Sequence, residues 1–403
     1  MKRKYIYYFL TFIMGMTLVS ARLNMQFVVV NELAPAAALL PWELVLLGFG
    51  SMLYAVSSLT LAGISDKLGR LPCIAGAGFV MLAMFAVPGW QLLGPVQIWT
   101  FFLIWGIASL SFAVFFTGIE GLLSEYQDHK MPLARRLGLY CISWSSGGAV
   151  GAYITGYAKE TFGYVTVFRI LTAICLGIVM IVILDFKFHG VQMFGDDEVG
   201  EADIRDDSPF YAKMARVGLF WGSLCFAALA ASFPRFARDF HGLGEGQIGS
   251  LISTITFTCF ITFAWFPFWK KWHYDGKLQV FLQGLMPVGL ALLALAPEGN
   301  VILLRIALVL FGMGYAFCYF FSIYYSLLVP EGHSKSGGVH EGFLGMGKLA
   351  GPFLALGFIH MAGIMTILSE ARLGAAAIVM AALAALVSLA IQGRMVWLKN
   401  RSN

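Results

Sequence analysis

Residues 42–89 read WELVLLGFGSMLYAVSSLTLAGISDKLGRLPCIAGAGFVMLAMFAVPG. Two apolar runs flank one short polar turn that carries Asp66, Lys67 and Arg70. Each run has roughly the 20 residues that a bilayer crossing needs. The same alternation continues in both directions. Further apolar runs lie at 5–30, 98–120, 137–158, 165–185, 213–234, 247–268, 278–296, 300–328, 338–362 and 372–396. With 42–63 and 71–89 they make about twelve spans. Within hydrocarbon every backbone polar group must be paired inside the protein, so the runs are expected to be helices. The predicted fold class is an all-α polytopic membrane protein.

Composition supports lipid as the solvent. The chain of 403 residues is 59% hydrophobic and 12% charged, whereas soluble domains average roughly 45–50% apolar and about 25% charged. Spans and short loops consume the chain, leaving no room for a sizeable soluble domain. The net charge of +5 reads as topology and not as a nucleic-acid footprint, because the positive residues concentrate in alternate loops. One side carries Lys2, Arg3, Lys4, Lys67, Arg70, Arg135, Arg136, Lys187, Lys270, Lys271, Lys277, Lys399 and Arg401 among others; the opposite side carries Lys159, Arg169, Arg235, Arg238, Arg305 and Arg372. Positive loops favour the cytoplasm. We therefore expect both termini to be cytoplasmic in a bacterial inner membrane, with an uncleaved first helix after Lys2-Arg3-Lys4. The cysteines at 73, 141, 175, 225, 259 and 318 have neither metal-ligand spacing nor a disulfide framework and read as small packing residues. No metal and no cofactor is expected.

The stretch 195–208, with Asp196, Asp197, Glu198, Glu201, Asp203, Asp206 and Asp207, is too charged to bury a core. It divides the chain into an N-terminal six-helix bundle (1–190), an acidic cytoplasmic linker (191–212) and a C-terminal six-helix bundle (213–403). The two parts echo one another. Gly147-x-x-x-Gly151 answers Gly347-x-x-x-Gly351, Leu68-Gly69-Arg70-Leu71 answers Asp275-Gly276-Lys277-Leu278, and Pro132 with Arg136 answers Pro330 with Lys335. Parallel six-helix repeats are one plan of secondary transporters.

The turn Gly63-Ile64-Ser65-Asp66-Lys67-Leu68-Gly69-Arg70 has its own chemistry. Gly63 and Gly69 allow a sharp reversal, Asp66 suits a helix start, and Arg70 suits a neighbouring carboxylate. This turn resembles the signature between helices two and three of the major facilitator superfamily. Gly244-x-x-Gln247-Ile248-Gly249-x-Leu251 resembles the family's entry to helix eight, and Glu125 with Pro132 and Arg136 its pattern after helix four. The resemblance implies two pseudo-symmetric six-helix bundles, alternating access by a rocker switch, helices one, four, seven and ten around a central cavity, and a cytoplasmic latch at Gly63, Asp66, Lys67, Gly69 and Arg70. The chain departs from the family's drug–proton antiporters: span five has Gly151-Ala152 without proline, and span four lacks their arginine.

Ionisable groups at depth cost about 2.5–3.5 kcal/mol each on insertion scales and mark sites. Arg22 lies in the outer half of span one with Gln26 a turn further on the same face; it reads as a substrate anchor, or as an arginine snorkelling to the interface. Lys348 is about 15 Å into span eleven, as a substrate contact or a structural ion pair. Glu120, His340 and Glu341 lie toward the inner ends of their spans, as proton carriers or as a gate. Span ten presents Tyr319, Tyr324 and Tyr325, whose hydroxyls need partners at depth; the stripe reads as a substrate face or as packed core. Gly147, Gly151, Gly347, Gly351 and Pro352 are expected at helix contacts, either sliding between bundles or static.

These readings predict a secondary transporter for a small organic solute, an organic anion first, with a neutral sugar-like solute or exported drugs as alternatives and protons as a candidate coupling ion. A non-transporting sensor or receptor on the same fold is the alternative of another class. No motif for an intramembrane enzyme is present. A monomer is expected.

Overall fold

The computed structural model of the chain describes residues 3–33, 41–94, 97–125, 132–189, 205–328, 333–364 and 373–402. Among them there is no strand, as expected of segments that satisfy their own backbone within lipid. Eleven helices are long and apolar enough to cross a membrane. One of these, Leu133–Phe188, has 56 residues, about 84 Å of helix and far more than one crossing. It breaks at Gly163, where φ is 77° and ψ 165°. That left-handed region is open to glycine at little steric cost. The break yields spans five (133–162) and six (164–188), so the described helices make twelve crossings.

Span one is Arg3–Val28, continued by a π-helical turn Val29–Leu33. Span two is Trp42–Thr60, span three Arg70–Gly89 and span four Ile98–Glu125. Span seven is Ser208–Asp239, span eight Glu245–Trp265, span nine Gly276–Ala294, span ten Val301–Leu328, span eleven His333–Ile364 and span twelve Leu373–Ser402. Span seven starts earlier than 213, inside the stretch expected as linker. Pro209 at the first turn is preorganised for a helix, and Tyr211 and Ala212 are buried. The acidic residues Asp196 to Asp203 lie outside the described residues.

The small-residue stripes have two destinations. Gly147 and Gly151 face span one: a Cβ added at either would stand 1.9 Å from the Phe12 carbonyl oxygen or 2.5 Å from that of Met16. Gly347 and Gly351 face span seven in the same way, 2.3 Å from the carbonyl oxygens of Phe220 and Leu224. These four glycines therefore pack within each set of six spans and not between the sets, and Pro352 is buried one residue on. A different face of span five, Gly148-Ala152-Gly156, lies against span eight, and span two lies against span eleven. Those two seams join spans 1–6 to spans 7–12.

At the turn after span two, residues Ala62–Leu68 form a short helix. Gly69 follows with φ 89° and lets span three begin at Arg70. Asp66 sits inside the short helix and not at a helix start. The side chains of Asp66 and its neighbours Ala62 and Gly63 lie outside the described set; Lys67 is exposed. Arg70 reaches across to span four, where a Cβ on Gly121 would collide with its Nη1 at 2.3 Å. The glycine at 121 makes room for the guanidinium.

Candidate functional site

A central cavity lies between the two sets of spans. Spans one, four, seven and ten contribute to its wall through Arg22, Trp105, Phe226 and Tyr319; spans two, five, eight and eleven contribute through Tyr54, Trp144, Thr256 and Lys348. The lining is therefore wider than the four helices the resemblance implies. Its chemistry is aromatic with a few charges. Trp144 and Tyr319 stand 5.0 Å apart between ring centroids, and Phe226 stacks on Tyr315 at 4.6 Å.

Two cations point into this aromatic wall. The Arg22 guanidinium lies 5.5 Å from the centre of the Phe226 ring, and its Nε is buried without a hydrogen-bond partner. The Lys348 ammonium lies 5.2 Å from the centre of the Tyr54 ring. Cation–π contacts of this kind stabilise by about 0.5–2 kcal/mol, less than a matched carboxylate supplies. Among the described residues neither cation forms an ion pair. Tyr54 donates to Glu341 Oε2 at 2.6 Å, which turns one carboxylate toward the same cavity.

Glu120 belongs to a separate layer between this cavity and a smaller one lined by Glu120, Arg136, Tyr140, Ile323 and Leu327 among others. Tyr140 lines both cavities, the second being small, and donates to Glu120 Oε1 at 2.7 Å. His340 is fully buried, with Nδ1 3.1 Å from Ser322 Oγ and its ring edge-on to Tyr319.

Three residues of the sequence reading lie elsewhere. Gln26 shares a face with Arg22, yet its amide donates to the Ala230 carbonyl at 2.9 Å and so ties span one to span seven. Tyr325 is wedged in the loop after span eight, where its hydroxyl accepts from the Tyr274 backbone at 2.9 Å and from Gln279 Nε2 at 3.1 Å. Tyr324 packs on Trp272, with ring centres 4.9 Å apart. Neither tyrosine lines the central cavity. Conversely, Tyr54, Trp105, Tyr140 and Trp144 line it without having been singled out. Their only signal is a polar or large aromatic tip at depth in an otherwise apolar helix.

Beyond the cavity, at the end away from the chain termini, side chains brace the two sets together. Arg235 Nε lies 2.7 Å from Glu43 Oε1, and the carboxylate is 2% exposed. Lys159 bridges Glu32 at 3.1 Å and Glu245 at 2.7 Å. Asn31 contacts both Glu245 and Arg238. The far end of the cavity is thus closed by pairs that cross from spans 1–6 to spans 7–12.

Among the described residues, twelve spans surround a central, largely aromatic cavity that carries a few charges, the architecture of a polytopic membrane transporter. The sequence model of the Major Facilitator Superfamily matches residues 7–352, and the chain belongs to that family. No curated protein sequence matches it significantly. Three solved structures are similar in fold. A bacterial homologue of the human lysosomal transporter Spinster, inward-facing and unoccupied, aligns at TM-score 0.68 and 14% identity, covering 100% of this chain and 98% of its own. The nucleoside transporter NupG aligns at 0.71 and 13%, covering 97% and 99%. The human organic anion transporter MFSD10 (TETRAN) aligns at 0.65 and 12%, covering 97% and 100%. At these identities the likeness is one of fold. Membership of the family indicates a transporter.

Proposed function

We propose that this protein is a secondary active transporter that carries a small organic anion across the bacterial inner membrane by rocker-switch alternating access. The observation that carries this reading is the pair Arg22 and Lys348, two cations on opposite sets of spans that face one aromatic cavity without an ion-pair partner among the described residues. A guanidinium offers a planar fork for a carboxylate or phosphate, and an ammonium offers a point charge. An anion between them would replace the water each lost on burial. The rings of Phe226, Trp144 and Tyr319 suit the apolar or aromatic body of such a solute.

In this proposal residues 1–190 and 213–403 are the rocking units, with both termini cytoplasmic. The braced end at Glu43–Arg235 and Lys159–Glu245 then faces outward, and the described conformation is closed to the outside. Glu120, His340 and Glu341 serve as gate or proton-coupling groups. The chain acts as a monomer, since its small-residue faces are taken up by contacts within the chain, inside each bundle and between the two.

A thermal-shift screen on detergent-purified protein tests the substrate class. A ligand of the folded state stabilises it by about 2.7 kcal/mol at a hundredfold excess over Kd. Aromatic carboxylates or organic phosphates are expected to raise the melting temperature, and Arg22→Ala and Lys348→Ala to abolish the rise. Stabilisation by neutral sugars that persists in both variants would assign the cavity to uncharged solutes instead.

A further inference from the structure

Glu120 of span four and His340 and Glu341 of span eleven are distant in sequence, yet each offers a ligand atom within 4.8 Å of the other two. All three are buried, with exposures of 5%, 0% and 1%. Each is held from behind by a hydroxyl: Tyr140 on Glu120, Ser322 on His340 Nδ1, Tyr54 on Glu341. These contacts leave Glu120 Oε2 and His340 Nε2 buried with no hydrogen-bond partner. Buried polar groups are normally satisfied, so two orphans in one cluster of metal-ligating residue types ask for a missing partner.

We propose that Glu120, His340 and Glu341 form a site for a divalent transition-metal ion that joins spans 1–6 to spans 7–12. Two ionised carboxylates this close repel, so a positive species must lie between them. A shared proton would meet that need and leave the imidazole nitrogen idle. A divalent ion meets it and engages the imidazole as well. One nitrogen and two carboxylates match Mn²⁺, Fe²⁺, Co²⁺ or Zn²⁺ better than Mg²⁺, which prefers oxygen and water. The hydroxyls behind each donor orient it, as outer partners do at established metal sites.

The fit requires a small adjustment. Donors bonded to one tetrahedral ion at about 2.0–2.2 Å stand about 3.4 Å apart. The ligand atoms, which lie within 4.8 Å of one another, reach that spacing by side-chain rotation, and a proton held by either carboxyl leaves to solvent when the ion binds. The site borders both cavities, because Glu341 lines the central one and Glu120 the smaller one. Since the ligands come from opposite sets of spans, the ion favours the conformation in which they meet, by its differential affinity for that state. This inference is independent of the anion reading.

The full-length protein, freed of metal with a chelator, is titrated with Mn²⁺ and followed by electron paramagnetic resonance. Thermal shifts are recorded with Zn²⁺ and with Mg²⁺. Stoichiometric Mn²⁺ binding, displacement by Zn²⁺, and a Zn²⁺-specific rise in melting temperature are expected. His340→Gln and Glu120→Gln should weaken Zn²⁺ at least about tenfold, the loss that even an outer partner's removal brings. Arg22→Ala should leave the metal response intact. If the variants do not fold, pulsed resonance on the wild type decides, because bound Mn²⁺ must show coupling to a directly coordinated nitrogen. No Mn²⁺ bound at millimolar metal, no nitrogen coupling, or wild-type affinity in His340→Gln would overturn the proposal.

Discussion

The two seams between the six-span sets are built differently. Where span five meets span eight, backbone lies on backbone: a Cβ on Gly156 would stand 2.6 Å from the Glu245 carbonyl oxygen, and one on Gly249 2.6 Å from that of Ala152. Where span two meets span eleven, Gly345 presses on the Ala55 backbone, but Gly342 and Gly48 meet the tips of Leu59 and Phe353, at 2.4 and 2.7 Å. Backbone cannot move aside without bending a helix, whereas a leucine or phenylalanine tip can change rotamer. In lipid, close approach of small residues supplies much of helix association. The first seam is therefore the firm contact, and the second is the one that tolerates change.

The strongest test of that difference is Gly249→Val. The added methyls meet the Ala152 carbonyl, and overpacking costs about 1–3 kcal/mol. Thermal unfolding in detergent should show the loss directly. Next comes Glu43→Gln at the braced end. Breaking a fully buried pair costs about 3–5 kcal/mol. Arg235 is 31% exposed, so water screens it and we expect about 1–2 kcal/mol. The loss should favour opening of that end, so that Ala230→Cys, in the cavity wall, reacts faster with an impermeant thiol reagent when Glu43→Gln is also present. The smallest effect is expected for Gly342→Ala, about 1 kcal/mol or less, because Leu59 can rotate away. Equal destabilisation by Gly249→Ala and Gly342→Ala would erase the distinction between the seams.

Much of the architecture is legible from residue types alone. The apolar runs and their charged turns predict the span count, since hydrocarbon thickness leaves few alternatives. The internal break at Gly163 agrees with the gap expected between 158 and 165, although no polar loop marks it strongly. The site is harder to read. In a helix that is apolar all round, periodicity does not tell which face meets lipid and which meets protein. Tyr324 and Tyr325 thus look like Tyr319 in sequence, yet only Tyr319 reaches the cavity. Spacing places Gln26 beside Arg22, but the carbonyls at 230 and 231 belong to span seven and claim its amide. Glu120 gains its significance only when span four is laid against span eleven. Arg22 and Lys348 remain conspicuous in sequence because burying a charge in lipid is expensive enough to need a reason.

In the proposed transport cycle Arg22 and Lys348 together hold an anionic solute in transit. Uptake of radiolabelled aromatic carboxylates and organic phosphates into proteoliposomes tests it most directly, with wild type, Arg22→Gln and Lys348→Gln compared after their folding is verified. We expect protein-dependent flux of an anion from this set, reduced at least about tenfold in each variant, since losing a charge-assisted contact costs about 1.5–3 kcal/mol. Flux of a neutral solute that is equal in all three proteins, with no anion carried, would contradict it.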